Sequence, residues 1–234
     1  MMDELTTDRL VYATLAVLLV AEATWPARGE TSSMPRRWCF HAALFVLALG
    51  IGTLGYRLMA LVLSDTPIAP PRLWHVVVVV LALDLTAYAT HVLAHRYKFL
   101  WRFHRLHHAD ETLDVSTTFR QHPVQQLWLM PCVVVVAAVC GANAWEVGLY
   151  VALQLCVQAL AHANLWLPAA PMTALGWVFI TPELHQAHHS PEPHEANSNY
   201  GEVFSFWDRI FGTRTPPMPN RQIFGLNPPT GTPG

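Results

Sequence analysis

Residues 91–108 read HVLAHRYKFLWRFHRLHH, an HxxxH unit followed by an HxxHH unit, with five histidines in all. On a helix, positions three or four apart project from one face, so the spacing predicts one cluster from His91 and His95 and another from His104, His107 and His108. A second HxxHH unit, at His185, His188 and His189, makes a third cluster. Any one of these histidines is explained well enough as a hydrogen-bonding core or surface residue, but three clusters at this spacing predict a metal site. Neutral imidazole ligates iron, copper, nickel or zinc. Cys39, Cys132, Cys140 and Cys156 lie singly in apolar segments, which argues against thiolate ligation and against a disulfide framework. The motif histidines exceed what one ion coordinates, so two ions are expected, with water or oxygen completing their shells. His122 and His162 are candidates for further ligands.

Outward from this stretch the chain is too apolar for an ordinary water-soluble domain. Of its 234 residues 53% are hydrophobic and 13% charged, and its mean hydropathy is +0.28. An all-α integral membrane bundle of about four to five membrane helices is expected. A net charge of −2 with no basic face leaves no footprint for nucleic acid. Apolar runs suited to spanning lie at Leu10–Trp25, Trp38–Leu63, Leu73–His95, Val124–Val139 and Val147–Leu167. The first is also compatible with a signal-peptide core, but Asp3, Glu4 and Asp8 ahead of it do not suit a positive n-region, and it is read as a membrane helix. Gly50, Gly52 and Gly55 in the second run should admit close approach of another helix. The prolines of SDTPIAPP end that run, and GANAWE is short enough for an antiparallel hairpin. Met172–Ile180 is expected in the membrane surface, and Trp74, Trp101, Trp128 and Trp166 at the interface.

The basic residues orient the bundle. Arg28, Arg36 and Arg37 in the first loop, with Arg96, Lys98, Arg102 and Arg105 after the third run, predict that both segments are cytoplasmic. That places the three motifs and His162 at one face, as a histidine-rich helical cap. Asp84 falls in the middle of the third run, two helical turns before His91. An intramembrane carboxylate is costly unless paired, so Asp84 is read as orienting a liganding imidazole or ligating directly, against a plain interhelical contact. For the last motif, Thr181 is expected to cap a short helix that opens with Pro182 and is interrupted at Ser190-Pro191. His41, His75 and His194 have no histidine partner at helical spacing and are expected at the interface or exposed.

These residues also resemble the fatty acid hydroxylase superfamily, which includes sterol desaturases and alkylglycerol monooxygenase. LDLTAYATHVLAHRYKFLWRFHRLHHAD is similar to its D-x-x-x-Y-x-x-H-x-x-x-H segment joined to H-x-x-H-H. TTFRQHP resembles its R-x-H-P segment, AHANL its H-x-N segment, and TPELHQAHH with NYGEVFSFWDRIFGT its C-terminal signature. The resemblance implies a membrane non-haem di-iron oxygenase that uses O2 to attack an unactivated C–H bond of a lipid or sterol. It implies that His91, His95, His104, His107, His108, His185, His188 and His189 are metal ligands, with His122 and His162 at further histidine positions. Gln125 stands where the family often has glutamate. Asn199, Tyr200, Trp207 and Asp208 match the signature and are expected to build a packed cap, with Asp208 and Arg209 in polar contacts. Residues 1–72 are then N-terminal membrane helices and loops, 73–214 the catalytic domain, and 215–234, rich in Pro, Gly, Asn and Thr, a flexible tail.

A ferredoxin, cytochrome or reductase is expected to supply electrons, because the chain has no GxGxxG fingerprint or cysteine cluster. Zinc can substitute for iron in imidazole sites. Two rival readings are a histidine-ligated haem electron carrier, which leaves both HxxHH units unexplained, and a metal transporter, which should spread its ligands through the bilayer. A zinc protease lacks its HExxH.

Overall fold

The computed structural model describes residues 4–29, 34–62, 72–216 and 223–226, and every regular element among these is a helix. α1 (Glu4–Thr24), α2 (Met34–Val62), α3 (Leu73–Arg96) and α4 (Lys98–His108) precede two short 3-10 turns, Val115–Phe119 and Pro123–Gln125. α5 (Gln126–Cys140) and α6 (Ala144–His162) follow. The short α7 (Ala169–Leu175), α8 (Pro182–His188), α9 (Pro193–Ala196) and α10 (Phe206–Ile210) complete the order.

Four stretches are long and apolar enough to cross a membrane: Pro35–Gly55, Leu73–Arg96, Pro123–Cys140 and Ala144–His162. The protein is a multi-pass membrane helical bundle. Val76–Val80 is a poor helix former in water, but in a bilayer the helix satisfies its own backbone, and α3 runs through it unbroken. Large apolar side chains such as Leu54, Val135 and Val139 point outward, as a lipid-facing surface requires. The first apolar run is helical in α1, yet it is not among the four spans; Glu4, Asp8 and Arg9 precede it on the same helix and Glu22 interrupts it. α1 instead docks along α6 through Leu18, which meets Ala159, Ala163 and Val115.

The inner faces of α3, α5 and α6 meet in one core, where Val79, Leu83 and Ala87 pack with Val133, Ala137, Val147 and Tyr150. Of the three glycines in α2, Gly55 makes the close approach: a Cβ there would lie 2.9 Å from Met130 Sδ of α5. Gly50 and Gly52 face open space, contrary to expectation. α5 stops at Gly141 in the left-handed region (φ 65), and α6 opens with a capping box between Asn143 and Glu146. His75 ties this hairpin to the start of α3, its Nδ1 2.6 Å from Glu146 Oε1 and its Nε2 3.0 Å from the Cys140 carbonyl.

These ties order the bundle. α2 leaves the histidine-bearing end and α3 returns to it; α5 leaves and α6 returns. Tyr97, in extended conformation, is the single residue between α3 and α4, and it turns α4 across that end. α4 buries Trp101, His104, His107 and His108 and exposes Lys98, Arg102 and Arg105. Residues 223–226 of the tail, read as flexible, fold back: Phe224 is buried under the Arg28 guanidinium at 4.8 Å, and Gly225 N donates to His189 O at 3.3 Å. SDTPIAPP and most of the tail lie outside the described residues.

Candidate metal centre

Nine imidazoles converge at the end of the bundle where α3, α4, α6 and α8 meet, and they sort into two groups. One holds His91 and His95 of α3, His104 and His108 of α4, and His188 of α8; the other holds His107, His162, His185 and His189. Within each group the ligand atoms lie within 4.8 Å of one another. The sorting cuts across the sequence motifs. On a helix, i and i+4 differ by a small rotation, whereas neighbours diverge by about 100°. His104 therefore stays with His108, and His185 with His189. The middle histidine of each HxxHH unit, His107 or His188, turns to the other group. The expectation that each motif forms its own cluster is corrected accordingly.

The inward atoms are Nε2. His91 and His188 approach at 3.0 Å, His95 and His108 at 3.1 Å, and His104 and His108 at 3.1 Å. In the second group His162 lies 3.0 Å from His185, 3.2 Å from His107 and 3.3 Å from His189. Three of the outward nitrogens meet backbone carbonyls. His91 Nδ1 donates to Tyr200 O at 3.0 Å, His188 Nδ1 to Ser198 O at 2.6 Å, and His162 Nδ1 to Gln158 O at 2.8 Å. A carbonyl only accepts, so each of these rings carries its proton on Nδ1 and its lone pair on Nε2.

Lone pairs aimed at one another from 3.0 Å repel unless a cation lies between them. A proton is a poor candidate. Burial, and after it the charge that neighbouring imidazoles would carry, holds His104, His107, His108, His185, His188 and His189 well below the usual histidine range. Neutral, oriented imidazoles fit two divalent transition-metal ions, one per group. Trp101, expected at the interface, is buried instead and walls the first group, 4.9 Å from the His95 ring and 5.3 Å from His108.

Asp84 is fully buried and touches no imidazole. Its Oδ1 accepts from Val203 N at 3.0 Å and Tyr150 OH at 3.2 Å, and its Oδ2 from Trp207 Nε1 at 2.9 Å and Phe204 N at 3.1 Å. The carboxylate therefore anchors the C-terminal segment to α3 rather than orienting a ring directly. Asp208 instead braces that segment internally, accepting from Tyr200 N at 2.7 Å and Gly201 N at 2.9 Å. A side chain at Gly201 would meet Phe204 O at 2.7 Å. Asn199, with φ 51, bonds the carbonyls of Leu184 and Thr215, and Arg209 bonds those of Gly176 and Trp177. This strap carries the carbonyls of Ser198 and Tyr200 to His188 and His91.

The two outlying histidines part company. His162 completes the four-membered group, while His122 stands outside both, half-buried against Phe103, its Nδ1 accepting from Val124 N at 3.2 Å. With Pro123 following, that imidazole serves its own turn. His41, expected at the surface, is buried, 2.9 Å from Ser116 Oγ and 3.6 Å from Asp110 Oδ2. It belongs to a network in which Arg37 pairs with Asp110 and Asp114 and fastens α2 beneath the histidine end. His75 is partly exposed at the far end, and His194 is exposed.

Sequence reasoning passed over several partners of the imidazoles. Gln154, Gln158 and His162 recur every four residues in a helix that is apolar after its opening Glu146, a polar stripe legible in the sequence. Gln121 Nε2 lies 3.3 Å from His107 Nδ1, and Gln125 Nε2 donates to Gln121 Oε1 at 2.9 Å. Gln125 is also within reach of His104, although neither His104 Nδ1 nor Gln125 Oε1 closes a bond of ordinary geometry. Glu22 Oε1 accepts from Asn164 N at 2.6 Å and Val115 N at 2.9 Å, which brings α1 to the same end.

Comparison with known proteins follows the same residues. The profile of the fatty acid hydroxylase family matches residues 76–213. The ornithine lipid hydroxylase of Rhizobium tropici is 31% identical over 89% of this chain, which spans 65% of that protein. Alkylglycerol monooxygenase of Danio rerio is 30% identical over 65% of this chain, which spans 33% of it. Cholesterol 25-hydroxylase of Mus musculus is 26% identical over 70% of this chain and 54% of that protein. No solved structure matches. With all nine clustered histidines inside the matched stretch, the chain belongs to the fatty acid hydroxylase family.

Proposed function

We propose that this protein is a membrane-bound non-haem di-iron oxygenase that hydroxylates or desaturates a C–H bond of a lipid or sterol, using O2 and electrons from an external donor. The observation that carries the reading is the pair of buried imidazole groups with inward Nε2 atoms. Two iron ions would supply O2 activation for attack on an unactivated C–H bond; zinc, being redox-inert, would occupy the groups without that chemistry. The relatives are named for hydroxylation of an ornithine lipid and of cholesterol and for alkylglycerol monooxygenation, which supports a lipid substrate class.

The chain's own part is to hold and shield. The carbonyls of Ser198, Gln158 and Tyr200 fix three ring orientations, and burial keeps water from the donor atoms. The histidine end is assigned to the cytoplasmic face, because Arg28, Arg37, Arg96, Lys98, Arg102 and Arg105 gather there. Substrate would enter sideways from the bilayer. A ferredoxin, cytochrome or reductase would approach from water, where α4 exposes Lys98, Arg102 and Arg105. The haem-carrier reading accounts for at most two axial imidazoles per iron, whereas five and four donor atoms converge here. A transporter would spread its ligands along the bilayer, and these gather at one end.

Metal analysis of anaerobically purified protein tests the proposal, together with lipid profiling of cells expressing the wild type or His107→Ala. About two irons per chain and a lipid product that His107→Ala abolishes are expected. Fewer than two metals, or an unchanged profile in a host that contains the substrate, refutes it.

A further inference from the structure

Glu202 lies inside the C-terminal strap, and the metal-centre reading gives it no task. His91 Nδ1 donates to Tyr200 O at 3.0 Å, and Glu202 Oε1 stands beside that bond, 3.1 Å from the same nitrogen. The side chain is held there deliberately. Gln154 Nε2 donates to its Oε2 at 3.1 Å, and one turn along α6 Gln158 Nε2 donates to its main-chain carbonyl at 2.6 Å. Gln158 in turn offers its own carbonyl to His162. One helix therefore clamps the carboxylate against the five-histidine group while giving the four-histidine group a neutral acceptor. His107 of that second group likewise meets an uncharged amide, Gln121.

A negative charge beside the outer N–H of a liganding imidazole stabilises the positive charge that ligation draws onto the ring, and so strengthens the inner nitrogen as a donor. We infer that Glu202 is a positioning residue that polarises His91 and makes the five-histidine group hold its ion more tightly. The inference rests on the two-ion reading of the centre. A glutamine at 202 keeps the size of the side chain and can still accept from Gln154, while an uncharged NH2 replaces the charged oxygen beside His91 Nδ1.

The test uses the full chain in detergent, loaded with Zn2+ alone and titrated with a competing chelator. Wild type is expected to release two ions. E202Q loosens one of them by about 10–100-fold and leaves the other unchanged. In a His162→Ala background, which removes the four-histidine ion, the E202Q effect on the remaining ion persists. E202D keeps the charge and loosens that ion less than E202Q, and this comparison stands even where one variant is recovered poorly. Equal loosening of both ions, no loosening of either, or a larger effect of E202D than of E202Q overturns the inference. A wild type that never holds two ions overturns the two-ion centre instead.

Discussion

Asp84→Asn is the sharpest test of how the strap governs the site. The carboxylate takes three N–H donors, from Val203, Phe204 and Trp207, and one hydroxyl, from Tyr150. An amide offers one acceptor oxygen. Its best placement keeps that oxygen toward Phe204 and Trp207 and turns the NH2 toward Val203 and Tyr150, whose hydroxyl can rotate to accept. One buried backbone N–H then faces another donor, at about 1–3 kcal/mol, and the remaining bonds lose their charge assistance, at about 1–2 kcal/mol together. A loss of about 2–5 kcal/mol corresponds to a fall in melting temperature of roughly 4–20 °C for a chain of this size. Thermal unfolding in detergent, followed by tryptophan fluorescence, reads it. Because the strap presents the carbonyls that orient His91 and His188, Asp84→Asn should also weaken zinc retention by the five-histidine group more than by the other. A variant that melts within a degree of wild type and retains both ions equally would refute the anchoring role.

His104→Ala and His107→Ala remove neighbours on α4 that serve different groups, so each should cost one ion per chain, and in combination both; metal content of the purified variants decides it, and a shared loss from either single change would count against the sorting. Gly201→Ala pushes a methyl toward Phe204 O and Asp208 Oδ2 and should destabilise by about 1–3 kcal/mol, read as a lowered melting temperature; an unchanged melt would show that the loop gives way freely. Gln125→Glu should raise metal retention by about tenfold. Its second acceptor would take Gln121 Nε2 and free the Gln121 oxygen for His107 Nδ1–H, so weaker zinc binding in chelator competition would contradict that account.

The membrane spans and the identity of most clustered histidines were legible because both rest on local spacing: the length of an apolar run and the pitch of a helix. What spacing could not settle is which of two adjacent histidines faces which group, since that depends on where α3, α6 and α8 stand around α4. His122 and His162 looked equivalent, each a single histidine beside an apolar run, and only the direction of the chain at Pro123 and at the end of α6 distinguishes them. Asp84 is legible in the sequence as a carboxylate inside a span, but its role is not, since three of its partners come from residues 203–207, too distant in sequence for any periodicity to reveal. His41 and Trp101 are buried for the same reason, because the 109–120 loop over His41 and the end of α3 against which Trp101 packs are brought there by tertiary folding. Gly50 and Gly52 had the composition of a helix contact without a helix opposite them.

The sorting of imidazoles also sets an order of assembly. A ribosome that has passed residue 108 has already made His91, His95, His104 and His108, four of the five donors of one group, all on two helices joined by a single residue. At that point the other group has only His107, and it waits for α6 and then α8. Chains fold from the N-terminus as they emerge. On the proposed two-ion centre, the five-histidine position would trap a metal while the rest is still being synthesised, and α8 would close both positions at once when His188 and His189 arrive on one turn. A nascent chain arrested between residues 108 and 185 should accordingly hold a single ion.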